Sequence, residues 1–152
     1  VMHGKGKILP WLTNKQMNPA IQLFLLDTGH MSRTDDHVRG FEKKMMKPAL
    51  RRDFKNQYIP LLNQTVDLFI RGHATFDMLL RLSLLQSEIF ENMIPEDYHD
   101  VWQFGLQQKN FACKLCGSGG GGYILGFTDN YEKTQNDLDM KFKLAPVKLD
   151  IS

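Results

Sequence analysis

The chain has 152 residues, of which 42% are hydrophobic, 24% charged and 11% aromatic, and its 19 basic and 17 acidic side chains leave a formal charge of +2. That is the profile of one soluble globular domain: a near-neutral balance without a basic block gives no electrostatic footprint for nucleic acid, and the apolar content is too high for a disordered tail. The longest uncharged apolar runs, such as Leu82–Leu85, fall far short of a membrane span, and no apolar h-region follows a basic start, so a cytoplasmic protein is expected.

In chain order, Lys7–Trp11 reads as a short strand and Ile21–Asp27 as a buried strand, stopped by Thr28-Gly29. Thr34 or Asp35 can cap an amphipathic helix through about Met46, with Val38, Phe41 and Met45 at helical spacing until Pro48 interrupts. A second helix is expected from about Ala49 to Ile70, with Pro60 as its weak point and Arg71-Gly72 as its stop. Thr75 can cap a third over Phe76–Met93, apolar on more than one face and therefore the most buried. Pro95-Glu96-Asp97 opens a further helix through about Gln108. Phe111–Cys116 and Tyr123–Thr128 are short, apolar and bounded by turn residues, as strands are. Asp129 or Asn130 can cap a last helix over Tyr131–Phe142, and Val147–Ile151 alternates like an edge strand. The interleaving predicts a single α+β domain, a sandwich with helices on one face of a mostly antiparallel sheet.

Between the two middle strands lies Gly117–Gly122, which holds five of the chain's twelve glycines. Consecutive glycines let backbone N–H groups converge on an anion with no side chain in the way, and phosphate is the natural guest. A Walker A loop is excluded because Gly122 is followed by Tyr123 and Ile124 rather than Lys and a hydroxyl residue. The dinucleotide fingerprint is excluded because it opens a helix, whereas this run opens an apolar strand. A flexible linker is the competing reading on composition, although linkers join separate units and have polar flanks.

The remaining candidates have plain structural readings. Cys113 and Cys116 form a lone CxxC at a strand end, which reads as two semi-buried thiols rather than a redox pair or half a zinc site. His3, His30, His37, His73 and His99 have no dedicated metal spacing, and of these His30 lies in the Thr28–Arg33 turn, where it can face a substrate. The acid pairs Asp35-Asp36 and Glu96-Asp97 stand at helix starts, where negative charge is favoured anyway. The basic residues Lys43, Lys44, Lys47, Arg51, Arg52 and Lys55 lack aromatic interleaving and read as a solvated face.

KLCGSGGGGYILGF, Lys114 to Phe127, resembles the third conserved motif of the GHMP kinases, approximately K-L-T-G-A-G-G-G-G-C followed by an apolar strand. LFLLDTGHMSRTDDHV, Leu23 to Val38, is similar to the strand, turn and Arg-Thr helix start that open the carboxy-terminal half of mevalonate kinases and related sugar kinases. The resemblance extends from about Ile21 to the end of the chain; residues 1–20 fall outside it and can be the end of a preceding domain. It implies a carboxy-terminal domain with a ferredoxin-like fold. Gly117, Ser118, Gly119, Gly120, Gly121 and Gly122 would form a phosphate and substrate loop, and His30, Arg33 and Thr34 would lie on the substrate side. Ser118 stands where the family has Ala, and Tyr123 where it has Cys.

The family's ATP-binding segment P-x-G-x-G-L-G-S-S and its H-G-x-x-S-G-x-D segment do not occur in this sequence. The resemblance therefore implies that ATP and Mg²⁺ are held mainly by an amino-terminal kinase domain, which is the expected partner beside a small alcohol substrate. No catalytic residue and no metal ligand is assigned to this chain, and on its own it is expected to be inactive. Transfer of the ATP γ-phosphoryl group to a hydroxyl, as in isoprenoid biosynthesis by mevalonate kinase, is the leading expectation. The alternatives are a galactokinase-type or heptose-phosphate-type sugar kinase and a non-catalytic ligand-binding module. Neither nucleic acid nor membrane is an expected partner, and homodimerisation is left open.

Overall fold

The computed structural model of the chain describes residues 18–31, 34–117 and 119–150, with side chains throughout except at 34–36. The strand expected at Lys7–Trp11 lies outside the described residues. The elements are β1 (Gln22–Asp27), α1 (Thr34–Met45), α2 (Pro48–Asp53), α3 (Ile59–Ile70), α4 (Phe76–Ile89), α5 (His99–Gln108), β2 (Ala112–Leu115), β3 (Tyr123–Thr128), α6 (Tyr131–Phe142) and β4 (Val147–Leu149). The strands form one antiparallel sheet in the order β2-β3-β1-β4. The domain is α+β, as expected.

Alternation along the strands assigns the two faces. Phe24 and Leu26 of β1, Ile124 of β3 and Cys113 and Leu115 of β2 share one face. They bury against Tyr98, Val101 and Trp102 before and within α5 and against Leu138 of α6. Leu23, paired with Phe127, points the other way, where Phe69 of α3 meets Phe127 edge-on at 6.0 Å between centroids. β2 lies at the edge of the sheet, where unpaired N–H groups would otherwise be stranded. α4 runs alongside and supplies the missing acceptors. Ser83 Oγ accepts the Cys113 N–H at 3.0 Å, and Gln86 Oε1 accepts the Leu115 N–H at 3.0 Å. Gln86 Nε2 in turn donates to the Tyr58 hydroxyl at 2.8 Å, and Trp102 Nε1 to the Ser83 carbonyl at 3.3 Å. Burial pushes the Tyr58 phenol above its ordinary range, against the opposing effect of the Gln86 bond, so it remains a neutral acceptor.

Several boundaries differ from the expectation for local physical reasons. The single helix expected over Ala49–Ile70 is α2 and α3 joined by a π-helical turn, Phe54–Tyr58. Pro60 has no N–H and its ring crowds the carbonyl four residues back, and the Ile59 N–H reaches to the Phe54 carbonyl, one residue beyond the α-helical partner. The helix expected over Phe76–Met93 ends at Ile89 and is followed by a 3₁₀ turn at Glu91–Met93. Ile94 precedes Pro95 and takes the extended conformation that position demands. A second 3₁₀ turn, Glu96–Tyr98, precedes α5. β2 and β4 are each shorter than the apolar runs that suggested them.

Replacing Gln86 by Leu removes the acceptor for the Leu115 N–H in a buried setting. A loss of about 1–3 kcal/mol in folding free energy is expected by urea denaturation. A cost below about 0.5 kcal/mol would show that the edge of β2 does not depend on this side chain.

Candidate functional site

The glycine run is the connection between β2 and β3, adjacent antiparallel strands of one sheet, so it is a hairpin loop and not a tether between units. Gly117, Gly119, Gly120 and Gly122 all have φ between 61° and 73°, a region that residues with a Cβ enter only at a cost. The loop is fastened at three points. The Gly122 N–H donates to the His30 carbonyl at 2.8 Å, while the Gly122 carbonyl accepts the Thr28 N–H and the Thr28 hydroxyl, both at 2.8 Å. The Gly120 N–H donates to the Met93 carbonyl, and the Gly119 N–H to that of Cys116 at 3.3 Å. Three of the amides expected to converge on an anion are thus engaged within the protein. The amides of Gly117 and Gly121 make no such bond among the described residues.

Two histidines flank the loop. His30 Nε2 stands 3.1 Å and 3.2 Å from the two carboxylate oxygens of Asp97, and since a carboxylate can only accept, Nε2 carries the proton. Asp97 is held there by its neighbour, because the Tyr98 hydroxyl donates to the Asp27 carbonyl at the end of β1 at 2.8 Å. Burial, with Asp97 and Asp27 adding, pushes the Tyr98 phenol above its usual range, which keeps it a donor. His30, Pro95, Glu96, Asp97 and Gly120 line an open depression of about 540 Å³. On the other side, the His37 ring occupies the space that a Cβ on Gly120 would need.

The structure brings His30 beside Gly120 and Gly122. Arg33 and Ser118 lie outside the described residues, and Thr34 opens α1 without a described side chain. Asp97, expected only as a helix-start charge, is the partner of His30 from 67 residues away. His37 and Met93 were not marked as loop contacts in the sequence, and no spacing rule connects them to it. The two thiols are unlike: Cys113 is buried on the sheet and Cys116 is exposed where β2 ends, which corrects the expectation of two semi-buried groups. Burial alone pushes the Cys113 thiol far above its ordinary range. Among the described residues, no three His, Cys, Asp or Glu side chains gather as a metal site, and no helix is long and apolar enough to cross a membrane.

No family model and no curated protein matches this sequence. Among solved structures, that of mevalonate kinase from L. major in complex with R-mevalonate is similar, with a TM-score of 0.59 and 17% identity. The match covers 87% of this chain and 44% of that enzyme's chain, so the present chain spans less than half of it. The likeness shows the fold alone: an α+β arrangement of helices on a four-stranded antiparallel sheet, similar to that in the mevalonate kinase structure.

Two outcomes follow from this geometry. Gly120→Ala should cost about 2 kcal/mol or more, from a positive φ and from the His37 ring. In a His37→Ala background the same change should cost about 1 kcal/mol less; equal costs would show that the ring does not pack on the loop. A thiol-titrating disulfide reagent should modify Cys116 rapidly in the native chain and Cys113 only after denaturation. Equal rates for the two would contradict the burial of Cys113.

Proposed function

We propose that this chain is the carboxy-terminal, acceptor-side domain of an ATP-dependent small-molecule kinase of the GHMP type, most like mevalonate kinase. The observation that carries this reading is the position of the glycine loop. On a fold similar to that of a mevalonate kinase, it is fastened to the β1–α1 turn and borders an open depression with His30. Phosphoryl transfer needs positioning and stabilisation of charge more than covalent chemistry from the protein, and main-chain amides on a loop without side chains supply both.

In this reading the amides of Gly117 and Gly121, which have no partner among the described residues, meet the transferred phosphoryl oxygens. His30, whose Nε2–H is committed to Asp97, presents Nδ1 to the acceptor hydroxyl. Asp97 fixes the ring's tautomer and orientation. ATP and Mg²⁺ are the cofactors, brought by an amino-terminal kinase domain, and Mg²⁺ neutralises phosphate charge there. The setting is cytoplasmic, with neither nucleic acid nor membrane as a partner.

A sugar kinase of the same superfamily is the second reading, and one feature favours it. Glu96 and Asp97 both line the depression, and carboxylates suit the hydroxyls of a polyol better than the carboxylate of mevalonate.

The test is to express the chain as one polypeptide with the coding segment that precedes it and to measure ATP consumption. Mevalonate, phosphomevalonate, galactose and heptose phosphates are the acceptors to compare. Turnover with mevalonate is expected, with a loss of about 100-fold in kcat/KM for His30→Ala and no turnover by the chain alone. Turnover with sugars alone would transfer the assignment to the second reading. Inactivity with every acceptor would leave the fold serving as a non-catalytic binding module.

A further inference from the structure

A second cavity, of about 180 Å³, lies on the inner side of the glycine loop, between α1 and the 3₁₀ turn at Glu91–Met93. Its floor is apolar, formed by Phe41, Ile89, Phe90 and Met93. Phe41 and Phe90 stack there with centroids 5.5 Å apart and planes 16° from parallel, which makes one wall flat. Its polar lining is of a different kind. His37, Lys44 and Asn92 contribute side chains that make no hydrogen bond or ion pair among the described residues.

This combination selects by exclusion. A neutral apolar molecule would fill the floor but strip water from the Lys44 ammonium without replacing it. A small hydrophilic anion would satisfy Lys44 and leave the aromatic wall wet. A compact anion with a flat apolar body meets both demands.

The cavity shares two walls with the loop. Met93 lines it and also accepts the Gly120 N–H, and its backbone stands where a Cβ on Gly119 would go. His37 lines it and packs its ring on Gly120. A guest that shifts the Met93 main chain pulls on the Gly120 N–H, and one that shifts the His37 ring changes the packing on Gly120.

We infer that this cavity binds small arene carboxylates or similarly shaped anions, and that the glycine loop reads its occupancy through His37 and Met93. The site stands apart from the proposed phosphoryl transfer, since its test measures binding to the 152-residue chain alone.

Benzoate is the probe, titrated into the isotopically labelled chain and followed by amide chemical shifts, with benzyl alcohol as its uncharged counterpart. Saturable shifts of the Phe90, Met93 and Gly120 amides with one shared dissociation constant are expected. Binding should weaken about ten- to a hundredfold in Lys44→Gln and for benzyl alcohol, as for loss of one charged hydrogen bond. Added salt should weaken benzoate binding and leave benzyl alcohol unaffected. Absence of saturable shifts up to the solubility limit, or equal affinity in Lys44→Gln with its native spectrum intact, would overturn the site. Saturation at Met93 with Gly120 unmoved would overturn the coupling.

Discussion

Gly122 exchanges main-chain hydrogen bonds with two residues of the β1–α1 turn, and the rest of the site depends on that exchange. Its carbonyl takes the Thr28 N–H and its N–H gives to the His30 carbonyl, which continues the β1–β3 pairing past its last register pair, Asp27 with Tyr123. A strand end that would otherwise fray is thereby joined to the loop that follows β2. The Thr28 hydroxyl reinforces the junction and also accepts the His30 N–H at 3.3 Å, fixing the direction in which the His30 ring leaves the turn. The two main-chain bonds do not depend on which side chains the turn carries, whereas the hydroxyl contacts require Thr28.

The composition of the loop would suit a tether, but its conformation is that of a fastened hairpin. Glycine carries the largest backbone entropy in the unfolded chain, so ordering several of them is costly. The offsetting contributions are visible: bonds to Met93, His30 and Thr28, and close packing of Met93 and His37 against Gly119 and Gly120. The four positive φ values explain why glycine is the least costly residue at these positions. Flexibility in the sequence is here the means of reaching a tightly turned backbone.

Much of this was legible before any coordinates. The hydroxyl and amide caps at Thr75 and Asn130, each accepting an N–H three residues on, announced α4 and α6 because capping is local chemistry. The apolar runs of β1 and β3 were readable for the same reason. Illegible were the pairings between distant segments. His30 and Asp97 meet because the Tyr98 hydroxyl fastens the start of α5 to β1, a contact that depends on the sheet already being assembled. The acceptor roles of Ser83 and Gln86 were also hidden, because the helix carries other polar residues, Asp77, Arg81, Ser87 and Glu88, and nothing local marks these two as facing buried donors. The π-helical turn before Pro60 was half visible: proline told where the ladder must fail but not that the helix would widen and continue.

The same assembly explains why the two faces of the loop differ in character. Its outer side meets the depression beside His30, Glu96 and Asp97, all partly solvated, where hydrogen-bonding groups can exchange partners with water at little cost. Its inner side rests on Met93 and His37, whose own neighbours Phe41 and Phe90 belong to a continuous aromatic cluster with Phe54 and Tyr58. Tyr58 is bonded to Gln86, and Gln86 to the edge of β2, the strand that leads into the loop. A closed circuit therefore runs from the loop through Met93, the aromatic cluster and α4 back to the loop. Its members touch one another in turn around the cavity beside Met93, so a shift in one is passed to the next. The polar side can adapt to what it holds, while the apolar side sets where the amides stand.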